Sequence, residues 1–250
     1  MAGHSHWAGI KHKKARQDKR RGKVFSKLTK TIMSAARRGG KEPDTNLELQ
    51  YAIEEAKAAN MPKGTIERAI LKGAGELEGE QVEAIRYEGY GSGGAAVIVD
   101  ILTDNRNRTT PAIRNIFDGH GGKLGTTNCV AWMFQTKGLV ILKLGEMSEE
   151  EVFDLVVEAG AEDFQQAGDF YELTCPPTEL KNVVTALEKS EIEYESAEIT
   201  EVPASYVDLD ADNGRKNVKM LDELEENDDV ENVYSNFNLP EELVREMSEE

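Results

Sequence analysis

The chain has 250 residues, two cysteines and a formal net charge of −17, with 39% hydrophobic and 31% charged side chains. Such a length predicts two or three domains with modest cores. Cys129 and Cys175 are too few for a disulfide framework, no apolar run reaches the roughly twenty residues of a membrane span, and the N-terminus lacks the apolar stretch of a secretory signal.

The charge is segregated along the chain. Residues 1–41 hold eight lysines and five arginines against one acid, Asp18, a net +12, while the remaining 209 residues hold 17 basic and 46 acidic side chains, a net −29. A basic head on an acidic body predicts oriented binding to a polyanion, with the head attracted and the body held off. Trp7 stands close to Lys11, His12, Lys13 and Lys14, and Arg16, Lys19, Arg20 and Arg21 follow. Bases stack on such a ring, and this pairing of a π-face with cations suits single strands or folded RNA more than an intact duplex. The alternative for Trp7 is that it plugs a groove on the helical domain. An Arg-rich start also fits a mitochondrial transit peptide, but Gly and His crowd the positions an amphipathic helix would need.

From about Lys23 a helical period begins. Val24, Phe25, Leu28, Ile32 and Ala35 or Ala36 form one face, while Lys23, Lys27, Lys30, Ser34 and Arg37 line another, and Gly39–Gly40 end the helix beside Arg38. A second helix starts near Asp44, Thr45 or Asn46, any of which can cap it, and Met61–Pro62 separate it from a short third helix carrying Ile66, Ala69 and Ile70. The glycine-bearing segment 73–79 reads as a hinge. Strands are predicted at Ala84–Glu88 and Ala95–Leu102, a helix from Thr110 to Phe117 with Thr109 or Thr110 as cap, and a hairpin from Val130–Phe134 and Leu139–Leu144. A helix over Ser148–Glu158, a strand at Asp169–Cys175, a helix at Thr178–Lys189 and a strand at Tyr194–Val202 follow. A strand near Ser205–Leu209, a helix over Gly214–Leu224 and a strand at Val230–Phe237 complete the series.

The segment from about 130 to 202 has two strand–helix–strand halves and is self-sufficient, whereas the flanking segments each lack partners. The expected fold is therefore α+β and multidomain. It comprises a small N-terminal helical domain with its basic tail (1–75), a discontinuous middle α/β sandwich (80–128 and 205–240) and a third, inserted α/β sandwich of ferredoxin-like content (129–204). Contact of Tyr87 or Val99 with Val233 would support that arrangement.

Several motifs fail on chemistry. Gly89-Tyr-Gly91-Ser-Gly93-Gly94 matches a dinucleotide fingerprint, but a β pattern follows it where a helix N-terminus must receive the pyrophosphate. Asp208 to Gly214 imitates a calcium loop, yet its glycine is one place late and Lys219 replaces the bidentate Glu. His4-Ser-His6 sits in cationic surroundings with no further ligand near it. Neither cysteine has an obvious base, and His120 reads as a turn residue. The acidic run 222–229 reads as a solvated helix end. No cofactor, metal or catalytic set is predicted. Arg106 and Arg108, in a polar loop before a helix, are placed to meet either phosphate or a protein carboxylate.

The opening Met1-Ala-Gly-His-Ser-His-Trp-Ala-Gly-Ile-Lys-His-Lys-Lys14 resembles the YebC family, whose mitochondrial relatives are called translational activators of cytochrome oxidase subunit one. The resemblance recurs at Ala59–Pro62, Tyr87–Tyr90, Leu102–Thr109, Gly160–Asp163 and Asp228–Tyr234, and so spans nearly the whole chain. Departures occur at His6, where lysine is expected, at Gly9, where a polar residue is expected, and at Ser92, where proline is usual. The resemblance implies three domains with the third inserted in the second. It implies a cytoplasmic protein and, as it starts at Met1, no organelle extension. Bacterial members are generally labelled transcriptional regulators that bind DNA, and others look like translation factors acting on ribosomes, including at proline-rich stretches.

The combined expectation is a non-enzymatic, cytoplasmic regulator that binds nucleic acid, favouring RNA on the ribosome over duplex DNA and a monomer over an oligomer that the sequence does not specify, with no membrane association. Its phosphate- and base-contacting residues would be Trp7, Lys11, His12, Lys13, Lys14, Arg16, Lys19, Arg20, Arg21, Lys23, Lys27, Lys30, Arg37, Arg38, Arg106 and Arg108. The DNA reading treats the helices flanking Asn60–Gly64 as a helix-turn-helix offering Lys63, Arg68 and Lys72. A third reading is a protein-interaction scaffold whose head binds an acidic protein.

Overall fold

The computed structural model describes residues 21–77, 83–143, 149–167 and 170–249. The elements run α1 (Arg21–Gly39), α2 (Leu47–Ala58), α3 (Lys63–Gly73), β1 (Glu83–Tyr90), β2 (Ala96–Thr103), α4 (Arg106–Gly119) and β3 (Lys123–Leu124). They continue with β4 (Phe134–Lys143), α5 (Glu149–Glu158), β5 (Asp163–Ala167), β6 (Phe170–Cys175), α6 (Leu180–Lys189) and β7 (Tyr194–Pro203). The chain then forms β8 (Val207–Asp208), α7 (Ala211–Glu226), β9 (Val230–Ser235), β10 (Phe237–Asn238) and α8 (Glu241–Glu249). Two compact units result. One contains the described residues up to Val130 together with Arg215–Val233, and the other contains Ala131–Gly214 and the described residues from Tyr234 onward.

In the first unit, α1 to α3 bury the predicted apolar stripe. Leu28, Ile32, Ala35 and Ala36 pack with Leu49, Ala52, Ile53, Ala56, Ile66 and Ala69. Asn46 is the residue that caps α2. Its Oδ1 accepts from the Leu49 N–H, and its Nδ2 donates to the carbonyls of Ala35 and Gly40, closing the end of α1 as well. Asn60 takes the left-handed conformation (φ 61°) before Pro62 launches α3. At the other end of α3, Gly73 lies so close to α1 that a Cβ there would sit 2.3 Å from the Met33 carbonyl oxygen.

The same unit holds a four-stranded sheet of order β3-β1-β2-β9. β1 and β2 form an antiparallel hairpin with Tyr87 opposite Val99. β2 is buried over nearly its whole length, as a central strand covered on both faces must be. β9 lies beside β2, so a strand from late in the chain completes a sheet begun before residue 130. The glycine-rich segment is the turn of the β1–β2 hairpin. Gly91 packs against the buried Asn217 side chain of α7, which donates to the Ser92 carbonyl.

The second unit contains β4-α5-β5-β6-α6-β7, a strand–helix–strand repeat folded into an antiparallel sheet of order β5-β6-β4-β7. This is the ferredoxin-like arrangement expected from sequence. Val140 and Leu142 of β4 and Tyr171, Leu173 and Cys175 of β6 share a core with Val152 and Val156 of α5 and with Leu180, Val183 and Leu187 of α6. The parallel pair β8–β10 and the helix α8 belong to this unit too.

Two local expectations are corrected. The hairpin predicted at 130–144 is a three-residue helical turn, Ala131–Met133, running into one ten-residue strand. Gly138, at the expected turn of that hairpin, lies inside β4, where a Cβ would meet the Cys175 sulfur at 2.7 Å, so its role is to admit close packing. α4 starts at Arg106 and not at Thr110. Asn105 caps it by accepting from the Arg108 N–H, and this moves both arginines from a loop onto the helix's first turn. Three further elements, β3, β5 and α8, have no counterpart in the sequence-based expectation. β5 is an edge strand with little alternation, and the apolar face of α8 rests on few residues, chief among them the buried Leu243. The cap expected from Ser148 lies outside the described residues.

Candidate nucleic-acid interface

The predicted cations separate into three groups. Trp7, Lys11, His12, Lys13, Lys14, Arg16, Lys19 and Arg20 lie outside the described residues, as do the side chains of Arg21 and Lys23 at the start of α1. Arg37, Arg38 and Arg106 are exposed at helix ends, and Arg38 donates to Glu48 of α2. Lys27, Lys30 and Arg108 are drawn to acceptors of the protein itself.

That third group converges on the end of α7. Lys27 donates to the Glu225 carbonyl, an orphan acceptor in the last turn of that helix. Lys30 donates to the Asp228 carbonyl at 2.8 Å and to Asp229 Oδ1 at 2.8 Å. Arg108 grips both oxygens of Asp229, at 2.8 and 3.1 Å, and reaches Asp104 at 3.0 Å. The Asp229 carboxylate is buried and also accepts from the Thr109 hydroxyl, at 2.7 Å. A hydrogen-bond relay stands behind it. The Asn105 N–H donates to Thr103, the Thr103 and Thr109 hydroxyls share a hydrogen bond at 2.8 Å, and Thr109 donates to Asp229. Even the Asp229 backbone is fixed, because its carbonyl accepts from the Leu102 N–H.

The electrostatics follow from these contacts. Burial alone would push the Asp229 carboxyl up, but donors from Arg108, Lys30 and Thr109 outweigh it and hold its pKa at about 2. Hydrogen bonding to Asp229 raises the Arg108 pKa in turn. The run 222–229 is therefore not simply a solvated helix end, since its last member is an anion buried among cations. Asp229 escapes a reading of the sequence because an acidic run carries no mark of which carboxylate turns inward. The one signal is a pair of threonines and an arginine grouped at 103–109.

Other predicted features are placed as follows. His120 pairs with Glu223 at 2.8 Å. On α3, Lys63 pairs with Glu67 at 3.6 Å, and Arg68 is exposed. Glu88 of β1 is buried and accepts from the backbone N–H groups of Asn128 and Val130, fastening the loop after β3. No cluster of metal-ligating side chains occurs among the described residues, and no helix among them is long and apolar enough to cross a membrane.

Comparison with known proteins places these observations in a family. Residues 5–76 match the TACO1/YebC protein N-terminal domain, and residues 82–237 match the TACO1/YebC second and third domain. A relative from Aquifex aeolicus named probable transcriptional regulatory protein is 50% identical over 99% of this chain and 100% of its own length. One of the same name from Elusimicrobium minutum is 48% identical over 99% of this chain and 100% of its own length. The crystal structure of a conserved hypothetical protein from Aquifex aeolicus superposes with a TM-score of 0.83 at 50% identity, covering 94% of this chain and 98% of the other.

Proposed function

The chain belongs to the TACO1/YebC family, and we propose that it is a non-enzymatic, cytoplasmic regulator of gene expression that acts by binding nucleic acid, with RNA on the ribosome as its target. The observation that carries this reading is the charge division, +12 over residues 1–41 against −29 over the rest. The names of the relatives, probable transcriptional regulatory proteins, support a role in gene expression. With Lys27, Lys30 and Arg108 satisfied by the chain's own acceptors, phosphate binding falls chiefly to Lys11, Lys13, Lys14, Arg16, Lys19, Arg20, Arg21 and Lys23. His12, Arg37, Arg38 and Arg106 are further contacts, and Trp7 stacks on bases. The working organisation is a monomer of three domains, 1–75, 80–128 with 205–240, and 129–204, in which the acidic lobes keep the head oriented.

RNA is preferred over duplex DNA on two grounds. Trp7 in a cationic segment suits unstacked bases. The outward face of α3, which a helix-turn-helix would present to the major groove, sets the acid Glu67 beside Lys63, where it opposes phosphate. Competition between ribosomal RNA and promoter duplex at matched salt tests this. Preferential displacement by ribosomal RNA supports the ribosomal reading, whereas preferential displacement by duplex establishes the transcriptional one. Salt-sensitive uptake of neither, with affinity for an acidic protein instead, would establish the scaffold reading.

A further inference from the structure

An open surface depression of about 350 Å³, called the cavity below, lies on the first unit, its lining including Phe25, Ser26, Lys30 and Met33 of α1, Lys72 of α3 and Asp104 after β2. Its size is at the small end for ligand pockets, enough for one base with its sugar. Its chemistry is mixed in an informative way. Phe25 and Met33 supply an apolar wall, with Phe25 only partly buried in the helical core. Lys72 stands on the cavity with no side-chain ion pair or hydrogen bond among the described residues. Asp104, whose Oδ1 also takes Arg108, supplies a carboxylate acceptor at the rim, and the Ser26 residue is exposed there.

A simple anion would have no use for the Phe25 and Met33 wall, and a purely apolar ligand would leave Lys72 desolvated without a partner. A nucleotide uses both. Its base stacks on the aromatic ring, its edge N–H groups meet the carboxylate, and its phosphate meets the lysine. Phe25 also lies four residues, one helical turn, beyond Arg21, where the basic head joins α1.

We propose that this cavity is a subsite for a single unstacked nucleotide of a bound RNA strand, with Phe25 stacking the base, Asp104 accepting from its edge and Lys72 holding its phosphate. The inference rests on the nucleic-acid reading above and deepens it. It gives the protein a preference for strands with free bases that the head's charge alone does not supply.

The test uses the full chain and a twelve-nucleotide single-stranded RNA carrying one 2-aminopurine, with a duplex RNA of equal length as comparison. Phe25→Leu keeps apolar bulk and removes the ring, and Lys72→Ala removes the charge. Each is expected to weaken single-strand binding roughly tenfold and to leave duplex binding unchanged. The 2-aminopurine fluorescence at saturating protein should differ between the wild type and Phe25→Leu, because the base loses its place on the ring. Wild-type single-strand affinity in both variants and wild-type fluorescence in Phe25→Leu, with unfolding midpoints unaltered, would overturn the subsite while leaving the head's polyanion role standing. Should the wild type show no salt-sensitive RNA binding at all, and Lys11, Lys13 and Lys14 changed to Glu make no difference, both readings fall together.

Discussion

Lys30 of the first helix and Asp229 near the end of the chain are 199 positions apart in sequence, yet their charged atoms meet at 2.8 Å. The contact ties the helical bundle to the loop between α7 and β9. Arg108 closes on the same carboxylate from α4. Three separate segments therefore depend on one buried acid. Removing it leaves two cations and a hydroxyl without their shared acceptor, which costs more than the loss of an exposed pair.

Asp229→Asn is expected to lower stability at pH 7 by about 1–2 kcal/mol, a figure reduced from the full linkage value because Arg108 is largely exposed. The folded pKa of about 2 lies below the ordinary 3.8. The stabilisation is thus present above pH 4 and lost as the pH falls through about 2. Urea unfolding of both proteins from pH 7 to pH 2 should show the gap shrinking below pH 4 and mostly gone at pH 2. A gap independent of pH would assign the effect to packing instead.

Two glycines of α3 should respond to alanine with opposite signs. Gly64 has nothing within 4 Å of where a Cβ would be, so Gly64→Ala should stabilise by about 0.5–1 kcal/mol through helix propensity. Gly73 faces the Met33 backbone at 2.3 Å. There the same change should destabilise by about 1–3 kcal/mol, because neither helix backbone can yield cheaply. Denaturant midpoints of the two variants decide the matter.

Asn46→Ala removes a cap on α2 and two donors to carbonyls at the end of α1. The expected loss is about 2–3 kcal/mol, from the cap and the buried carbonyls together. Asn46→Asp keeps the cap acceptor but replaces both N–H donors with a negative oxygen facing carbonyls. It should fail to restore the thermal midpoint, and restoration would show that the cap alone matters.

The salt dependence of RNA binding separates the head from α1. Changing Lys11, Lys13 and Lys14 to Ala should reduce the slope of log affinity against log salt by about 2 for a single strand. Changing Lys27 and Lys30 to Ala should reduce it by less than about 0.7, since both side chains are held by acceptors of the chain. Those two changes should appear in the unfolding midpoint instead. Equal effects on the slope from both sets would mean that the contacts to Glu225 and Asp229 open when RNA binds.

The two thiols should react in order. Cys175 is fully buried, and burial followed by the charges of Glu162 and Glu179 raises its pKa to about 11. Cys129 is half-buried, its thiol raised by burial and then by Glu88. A disulfide thiol reagent should label Cys129 in the native protein and Cys175 only at the rate of unfolding. Rapid native labelling of Cys175 would mean that the second unit opens locally.

Much of the fold is legible in the residues because it is written in local order. The stripe Leu28, Ile32, Ala35 and Ala36 repeats at helical spacing, so α1 and its core face follow from that spacing alone. The strand–helix alternation over 130–203 predicts the ferredoxin-like unit, although Gly138 falls where a turn is expected and is a packing glycine. The charge division of the first 41 residues is likewise a property of the chain as read. What local order does not carry is the destination of each charge. Lys23, Lys27 and Lys30 look equivalent in the helical period, and Arg106 and Arg108 look equivalent in their segment. Only when β9 takes its place beside β2 does Asp229 come to rest between Lys30 and Arg108. Coulomb attraction acts through space and desolvation depends on what covers a group, so neither is encoded in spacing along the chain.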